Sequence, residues 1–378
     1  MKKLLLASAV SAAFVAPATA LAQAAAPAVP TLDKVLEASG VSLSGYIDTA
    51  YSHSDRNLET GFSDRVFDSQ NNSFVLHQVG LTVAKQPKEG FGGLVNITAG
   101  KDAQVIHSFP EAVPGSTFDV TQAYGQYASG PVTLIAGKFT TLQGTEVIAS
   151  NGNTTFSRSI LFGAVPFTHT GLRATIAPND KVSIMAGVNN GWDQVQDGNK
   201  GKTVELGATF TPIKPLSITV SDYNGQDSAA TFGAQAVGAP QGARNSLDLV
   251  ASYTVIDPLT IGAEYLSVSQ ENFTSLTDGT NITAKYTGFA GYVTYTVNPK
   301  WRGVVRLESF DDKDGFHFGT PATKYKEYTL DISYLPADSY ELRGEVRTDR
   351  ADNTVFTQYD GTMSKTLMTF ALQGIYKF

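Results

Sequence analysis

The chain contains no cysteine in its 378 residues. Disulfides and thiolate metal sites are therefore excluded. Beyond the first twenty or so residues, no apolar run reaches the roughly 18 residues a membrane-spanning helix needs. An excess of positive charge is also missing. Lys and Arg total 28 against 35 Asp and Glu, a formal net charge of −7, which argues against nucleic acid as a partner. Histidine occurs five times, as His53, His77, His107, His169 and His317, and none has metal-ligand spacing. Asp311, Asp312 and Asp314 precede Gly315, but the oxygen-ligand loop pattern is incomplete. No nucleophile elbow accompanies Ser157 or His169, and no glycine loop cradles a phosphate. Cofactor chemistry finds no foothold in these motifs.

What is present starts with an export signal. Lys2 and Lys3 precede an apolar stretch from Leu4 to Val15, and Ala20-Leu21-Ala22 supplies a small-x-small cleavage pattern. Residues 1–22 are thus expected to be removed. Residues 23–40 read as a periplasmic lead-in, with a short amphipathic segment at Thr31 to Ser39. No linker divides residues 41–378, so they are expected to form one unit.

That unit has a rhythm. Seven tight turns carry Pro87, Pro131, Pro178, Pro212 with Pro215, Pro258, Pro299 and Pro336. Each joins two runs of alternating hydrophobicity, the signature of strands. The runs fall near 41–52, 73–85, 91–100, 118–128, 132–140, 168–177, 182–190, 202–211, 216–224, 245–254, 259–268, 284–296, 301–310, 325–335, 340–348 and 365–378. Longer Gly/Asn/Asp/Ser/Thr-rich segments separate the pairs. Sixteen strands are expected, with 14 or 18 as neighbouring counts. Short turns at one end and long loops at the other are the asymmetry of a closed antiparallel barrel in a bacterial outer membrane. Both chain ends then lie on the periplasmic side. Tyr253, Tyr295, Trp301, Tyr334 and Tyr340 flank the proline turns, where an interfacial aromatic girdle would sit.

Charges within the strands decide which face meets lipid. Arg302, Arg306 and Glu308 share one parity, opposite Trp301, Val305 and Leu307. Glu341, Arg343, Glu345 and Arg347 do the same two strands later. An Arg facing lipid at mid-bilayer costs about 2–4 kcal/mol. These side chains are therefore expected to face an aqueous lumen, either lining a path or stiffening the wall by pairing across strands. The third outer loop, about 141–167, carries Val147, Ile148, Phe156, Ile160, Leu161, Phe162, Val165 and Phe167, too apolar for a freely exposed loop. It is expected to fold inward and narrow the pore. Glu146 and Arg158 on it, with Lys138 and Arg173 on the flanking strands, are candidates for an electrostatic constriction. The alternative is a structural cover tied to the barrel.

Several short segments carry a resemblance. Ser44-Gly45-Tyr46-Ile47-Asp48, Gly100-Lys101-Asp102, Gln122-Ala123-Tyr124, Ala136-Gly137-Lys138-Phe139, Phe156-Ser157-Arg158-Ser159 and Thr168-His169-Thr170-Gly171 resemble the OmpL-like β-barrel porin family of Gram-negative bacteria. The likeness spans most of the mature chain expected from Gln23 onward and is sharpest from Gly45 to Gly171. It implies a diffusion porin and supplies no site residues. The last run alternates Phe370, Leu372, Gly374, Tyr376 and Phe378, resembling the signal read by the outer-membrane barrel assembly machinery.

The expected protein is a passive channel for small hydrophilic solutes or ions, without catalytic residues or cofactor. Its surroundings would be outer-membrane lipid and lipopolysaccharide, and a homotrimer follows by analogy with other sixteen-stranded barrels. The competing readings are a non-channel surface barrel such as an adhesin, a soluble periplasmic β protein and an outer-membrane barrel enzyme.

Overall fold

The computed structural model describes residues 31–59, 63–110, 115–228 and 241–378, so the expected signal at 1–22 lies outside the described residues. A helix, α1 (Leu32–Ser39), ends at Gly40, whose φ of +66° suits a left-handed C-cap. The strands follow: β1 (Ser42–Ser54), β2 (Ser73–Lys85), β3 (Gly90–Ala99), β4 (Phe118–Ser129), β5 (Val132–Thr140), β6 (Thr168–Asn179), β7 (Val182–Asn189) and β8 (Thr203–Ile213). Then come β9 (Leu216–Ser228), β10 (Gln241–Ile256), β11 (Leu259–Thr274), β12 (Asn281–Asn298), β13 (Trp301–Asp312), β14 (Thr323–Ala337), β15 (Tyr340–Ala351) and a closing strand Thr366–Lys377. Each pairs antiparallel with its sequence neighbours, and the closing strand pairs with β1, completing a sixteen-stranded barrel. The expected count and order stand.

Proline placement has a local cause. Pro178, Pro212 and Pro336 fall where the ladders skip residues, between Ile176 and Asn179, Phe210 and Ile213, and Tyr334 and Ala337. A bulge leaves residues unpaired, so a residue without an N–H fits there. The proline carbonyls still accept, as Pro131, Pro215 and Pro258 do from Ala177, Thr254 and Thr296.

The closure is also specific. The N–H of Phe378 donates to the Gly45 carbonyl at 2.9 Å, and the Gly45 N–H returns a bond of 2.8 Å. A Cβ at Gly45 would meet the Phe378 ring at 2.5 Å, so the glycine makes room for the terminal aromatic.

Parity behaves as the charges require. Leu342 (50% exposed), Leu330 (51%) and Leu372 (53%) face outward, while Arg306 and Arg347 are fully enclosed. Trp301 stacks on Tyr334 at 4.7 Å and Tyr340 on Tyr376 at 4.8 Å, all beside the proline turns. The inner face is not uniformly small, polar or charged. Toward the long-loop end, Leu266, Val268, Tyr286, Tyr292, Phe310 and Tyr325 point inward and are buried. They pack against Ile160, Leu161, Ala164 and Val165 of the third outer loop. A loop filling the lumen removes water there, and apolar burial then becomes favourable.

Candidate functional site in the barrel lumen

The segment 141–167 crosses the inside of the barrel, bonded to strand after strand. Near its start, Leu142 N–H donates to the Tyr223 hydroxyl (2.8 Å), Gly144 N–H to Asp248 (2.8 Å) and Thr145 N–H to Glu264 (2.8 Å). These acceptors lie on β9, β10 and β11. In its middle, the Gln78 side chain on β2 receives Ser150 N–H at 3.1 Å and donates to the Ile148 carbonyl at 3.0 Å. On β15, the Glu345 carboxylate accepts from Phe156 N–H (2.9 Å) and Ser157 N–H (3.1 Å). On β13, the Glu308 carboxylate accepts from Ile160 N–H (2.8 Å) and Leu161 N–H (2.7 Å), the first residues of the short helix α2 (Ile160–Gly163). Ser159 caps that helix through Phe162 N–H at 3.0 Å.

Arginines grip the carbonyls. Arg343 donates to Asn153 O (2.6 Å) and Thr155 O (3.0 Å), and Arg347 to Arg158 O. Arg306 is wholly buried; its guanidinium meets Glu146 at 2.7 Å, Glu327 at 3.2 Å and Ser157 O at 2.8 Å. Hydrogen bonds with an ionised partner are roughly twice as strong as neutral ones. The inner wall charges thus bind the backbone of the loop.

The four suggested constriction residues take four different partners. Glu146 pairs with Arg306 and accepts Ser159 N–H at 2.6 Å. Arg158 turns into its own loop, donating to Val147, Phe156 and Ile148 carbonyls, with Phe67 and Phe162 rings 5.5 and 5.6 Å away. Lys138 reaches Asp119 at 3.3 Å. Arg173 pairs with Glu205 at 2.5 Å and lies 4.3 Å over the Phe139 ring. Among the strand candidates, Arg302 and Arg343 share Glu341, which Lys377 approaches at 3.7 Å. Arg347 pairs with Asp349 at 2.8 Å.

Other loops join this plug. Arg65 in the first outer loop is buried between Asp68 and Asp349, each at 2.6 Å. Phe67 packs on Phe162 at 5.6 Å, and Ile106 of the second loop completes that cluster. His77 on β2 pairs with Asp102 of the second loop at 2.8 Å. Sequence reasoning missed Arg65, Asp119, Glu205, Asp248, Glu264, Glu327 and Asp349. Parity marks the strand members as inward: Asp349 continues the alternation of Glu341, Arg343, Glu345 and Arg347, while Asp119, Glu205, Asp248 and Glu264 are single charges among uncharged neighbours.

On the opposite side a cavity of about 300 Å³ remains between the loop and the wall. Thr82, Asn96, Thr98, Thr121, Gln122 and Thr140 line it from β2–β5, and Val147, Ile148 and Phe167 from the loop. Of the eleven candidates, Glu146 alone borders it. Thr98 and Thr121 hydroxyls bond at 2.7 Å, and the Asn96 amide donates to Thr82 Oγ1 at 2.8 Å. The Asp311, Asp312 and Asp314 group serves local structure: Asp312 accepts from His317 and Phe318 N–H, Asp314 from Lys285 N–H, and Asp311 pairs with Lys324 at 3.2 Å.

Comparison with known proteins completes the picture. The family model described as "Putative beta-barrel porin-2, OmpL-like" matches residues 40–378. No curated protein matches the chain significantly. Among solved structures, the outer membrane channel DcaP of Acinetobacter baumannii is 14% identical, with a TM-score of 0.61 over 89% of this chain and 97% of its own. OmpT of Vibrio cholerae in its trimer form is 13% identical, with a TM-score of 0.60 over 89% and 99%. The anion-selective porin of Comamonas acidovorans is 11% identical, with a TM-score of 0.58 over 89% and 99%. At these identities the likeness is one of fold.

Proposed function

The chain belongs to the OmpL-like β-barrel porin family of the Gram-negative outer membrane, and from that premise we propose that it is a passive diffusion channel for small hydrophilic solutes. Family and fold point to a channel rather than an enzyme. The observation that carries the reading is the cavity left between the inward third loop and the Thr/Asn/Gln wall of β2–β5. Selection in such a passage rests on width and on the groups lining it. Here the wall contributes hydroxyls and amides and the loop contributes Val147, Ile148 and Phe167, with Glu146 already paired to Arg306. Neutral hydrogen-bonding solutes such as sugars and amides therefore suit the path, and ions pass with weak preference.

The loop at 141–167 narrows the pore in this reading, and the strand charges hold it there rather than touching solute. Residues 1–22 are the cleaved signal and 23–40 the periplasmic lead-in. Outer-membrane lipid and lipopolysaccharide surround the wall, and the closing strand with Phe378 addresses the barrel assembly machinery. A homotrimer is the assembly suggested by the trimer form of OmpT.

The packed apolar cluster inside the lumen favours one competitor, a plugged surface barrel whose loops bind a partner. Liposome swelling separates the two. Proteoliposomes are expected to swell in small sugars; absence of swelling, with no single-channel steps in planar bilayers, would establish the plugged barrel instead.

A further inference from the structure

The outer wall is not uniform around its long-loop rim. On β12–β15 the outward-facing positions carry Lys285, Lys324, Lys326 and Arg350, all exposed. Elsewhere on that rim, outward positions of the described strands hold no exposed cation. They hold Phe74 on β2, Phe118 on β4, Val188 on β7, Val204 on β8 and Leu247 on β10. The cations form one arc.

Register brings two of them together. Lys326 lies directly opposite Arg350 across β14 and β15, and Lys324 opposite Asp311 across β13 and β14. Asp311 neutralises Lys324 at 3.2 Å. Lys326 and Arg350 have no carboxylate in ion-pairing reach among the described residues. Like charges set directly opposite on a sheet destabilise it. Their inward-facing neighbours Glu327 and Asp349 are enclosed behind the wall and bonded to Arg306 and Arg347.

Depth completes the argument. The next outward residue below Lys326 on β14 is Tyr328, 44% exposed, followed by Leu330 and Ile332 in the apolar band. On β15, Thr348 and Val346 descend beside them. Aromatic residues mark the boundary between hydrocarbon and headgroups. Lys326 and Arg350 thus stand one step above the boundary, at the headgroup level of the outer leaflet.

We propose that this arc binds the phosphate groups of the phosphorylated glycolipid of the outer leaflet, the lipid A part of lipopolysaccharide. Arg350 offers a planar fork to phosphate oxygens and Lys326 a point charge beside it. The acyl chains lie along Tyr328, Leu330 and Val346. Phosphate then relieves the repulsion between the two cations. The site is outside the lumen and makes no demand on solute passage.

The test uses the full-length mature chain in detergent, with bisphosphorylated lipid A and its dephosphorylated form as probes, read by native mass spectrometry. Wild type is expected to retain bisphosphorylated lipid A in preference to the dephosphorylated form. The pair Lys326→Ala with Arg350→Ala is expected to weaken retention about tenfold or more, two cations near an anionic surface being removed. Lys326→Arg keeps retention, and Lys300→Ala, at a proline turn of the opposite rim, leaves it unchanged. Heat-modifiable gel migration verifies that each variant is folded. Equal retention by wild type and the alanine pair, indifference to the phosphates, or no retention by wild type would each overturn the proposal. Sugar swelling unaltered in the alanine pair keeps this result separate from the channel reading.

Discussion

From β10 to β15 the inner wall carries Asp248, Glu264, Arg306, Glu308, Glu345 and Arg347, and each meets the loop at 141–167. From β2 to β5 it carries Thr82, Asn96, Thr98, Thr121 and Gln122, and faces a cavity. On the first side the charges are spent on the loop backbone; on the second, Lys138 and Asp119 pair with each other and hydroxyls and amides border the cavity. An ionised group in a lumen is a strong anchor for a backbone, because a loop offers many N–H and C=O groups in a short span. A hydroxyl or amide leaves the loop free and the passage open. The number of charges in a barrel is therefore a poor guide to what its solute meets.

The comparison can be broken most severely at Arg306. Arg306→Ala leaves Glu146 and Glu327 without their shared buried cation. Breaking such a pair costs about 3–5 kcal/mol. The expected outcome is a folded barrel with a released loop, seen as higher single-channel conductance and new protease cleavage within 141–167. Glu308→Ala comes next. It strips acceptors from Ile160 and Leu161 N–H, and leaving buried donors unpaired costs about 1–3 kcal/mol. Thermal melting of the barrel in detergent should fall modestly while conductance rises. Gln122→Glu sharpens the other half of the comparison: it should leave melting unchanged and shift the reversal potential toward cations.

The smallest effect is a pH dependence in the first outer loop. Burial, with Asp349 close by, pushes the Asp64 carboxyl up to about 7, against the pull of Arg347 and Arg65. The folded chain thus holds this proton more tightly than the unfolded chain, whose Asp titrates near about 4. Its contribution to stability is complete below that value and is lost as pH rises through about 7. Melting of the wild type should decline across this window, and Asp64→Asn should flatten the decline.

Much of this was legible in the sequence, for physical reasons. A strand exposes alternate residues to two solvents, so sixteen runs and the inward parity of Arg343 and Arg347 can be read directly. Boundaries were less clear. β10 starts at Gln241 and β11 runs to Thr274, beyond the runs at 245–254 and 259–268, because alternation fades where both faces meet polar surroundings. The register shift between Asn96 and Ile97 sets Thr121 and Gln122 side by side against the cavity, which alternation alone does not anticipate. The pairing of charges was illegible. Phe156 N–H meets Glu345 from 189 residues away, and Arg65 meets Asp349 from 284. Parity names the face of a residue, while only closure of the barrel decides which loop atom arrives there.

The most direct test is the reversal potential in a salt gradient across a planar bilayer, for wild type and for Arg158→Ala. The loop-anchored charges and neutral corridor predict a small potential for wild type that Arg158→Ala leaves nearly unchanged, since Arg158 is bonded to its own loop carbonyls. A large potential that collapses in the variant would place that guanidinium in the solute path and contradict the account.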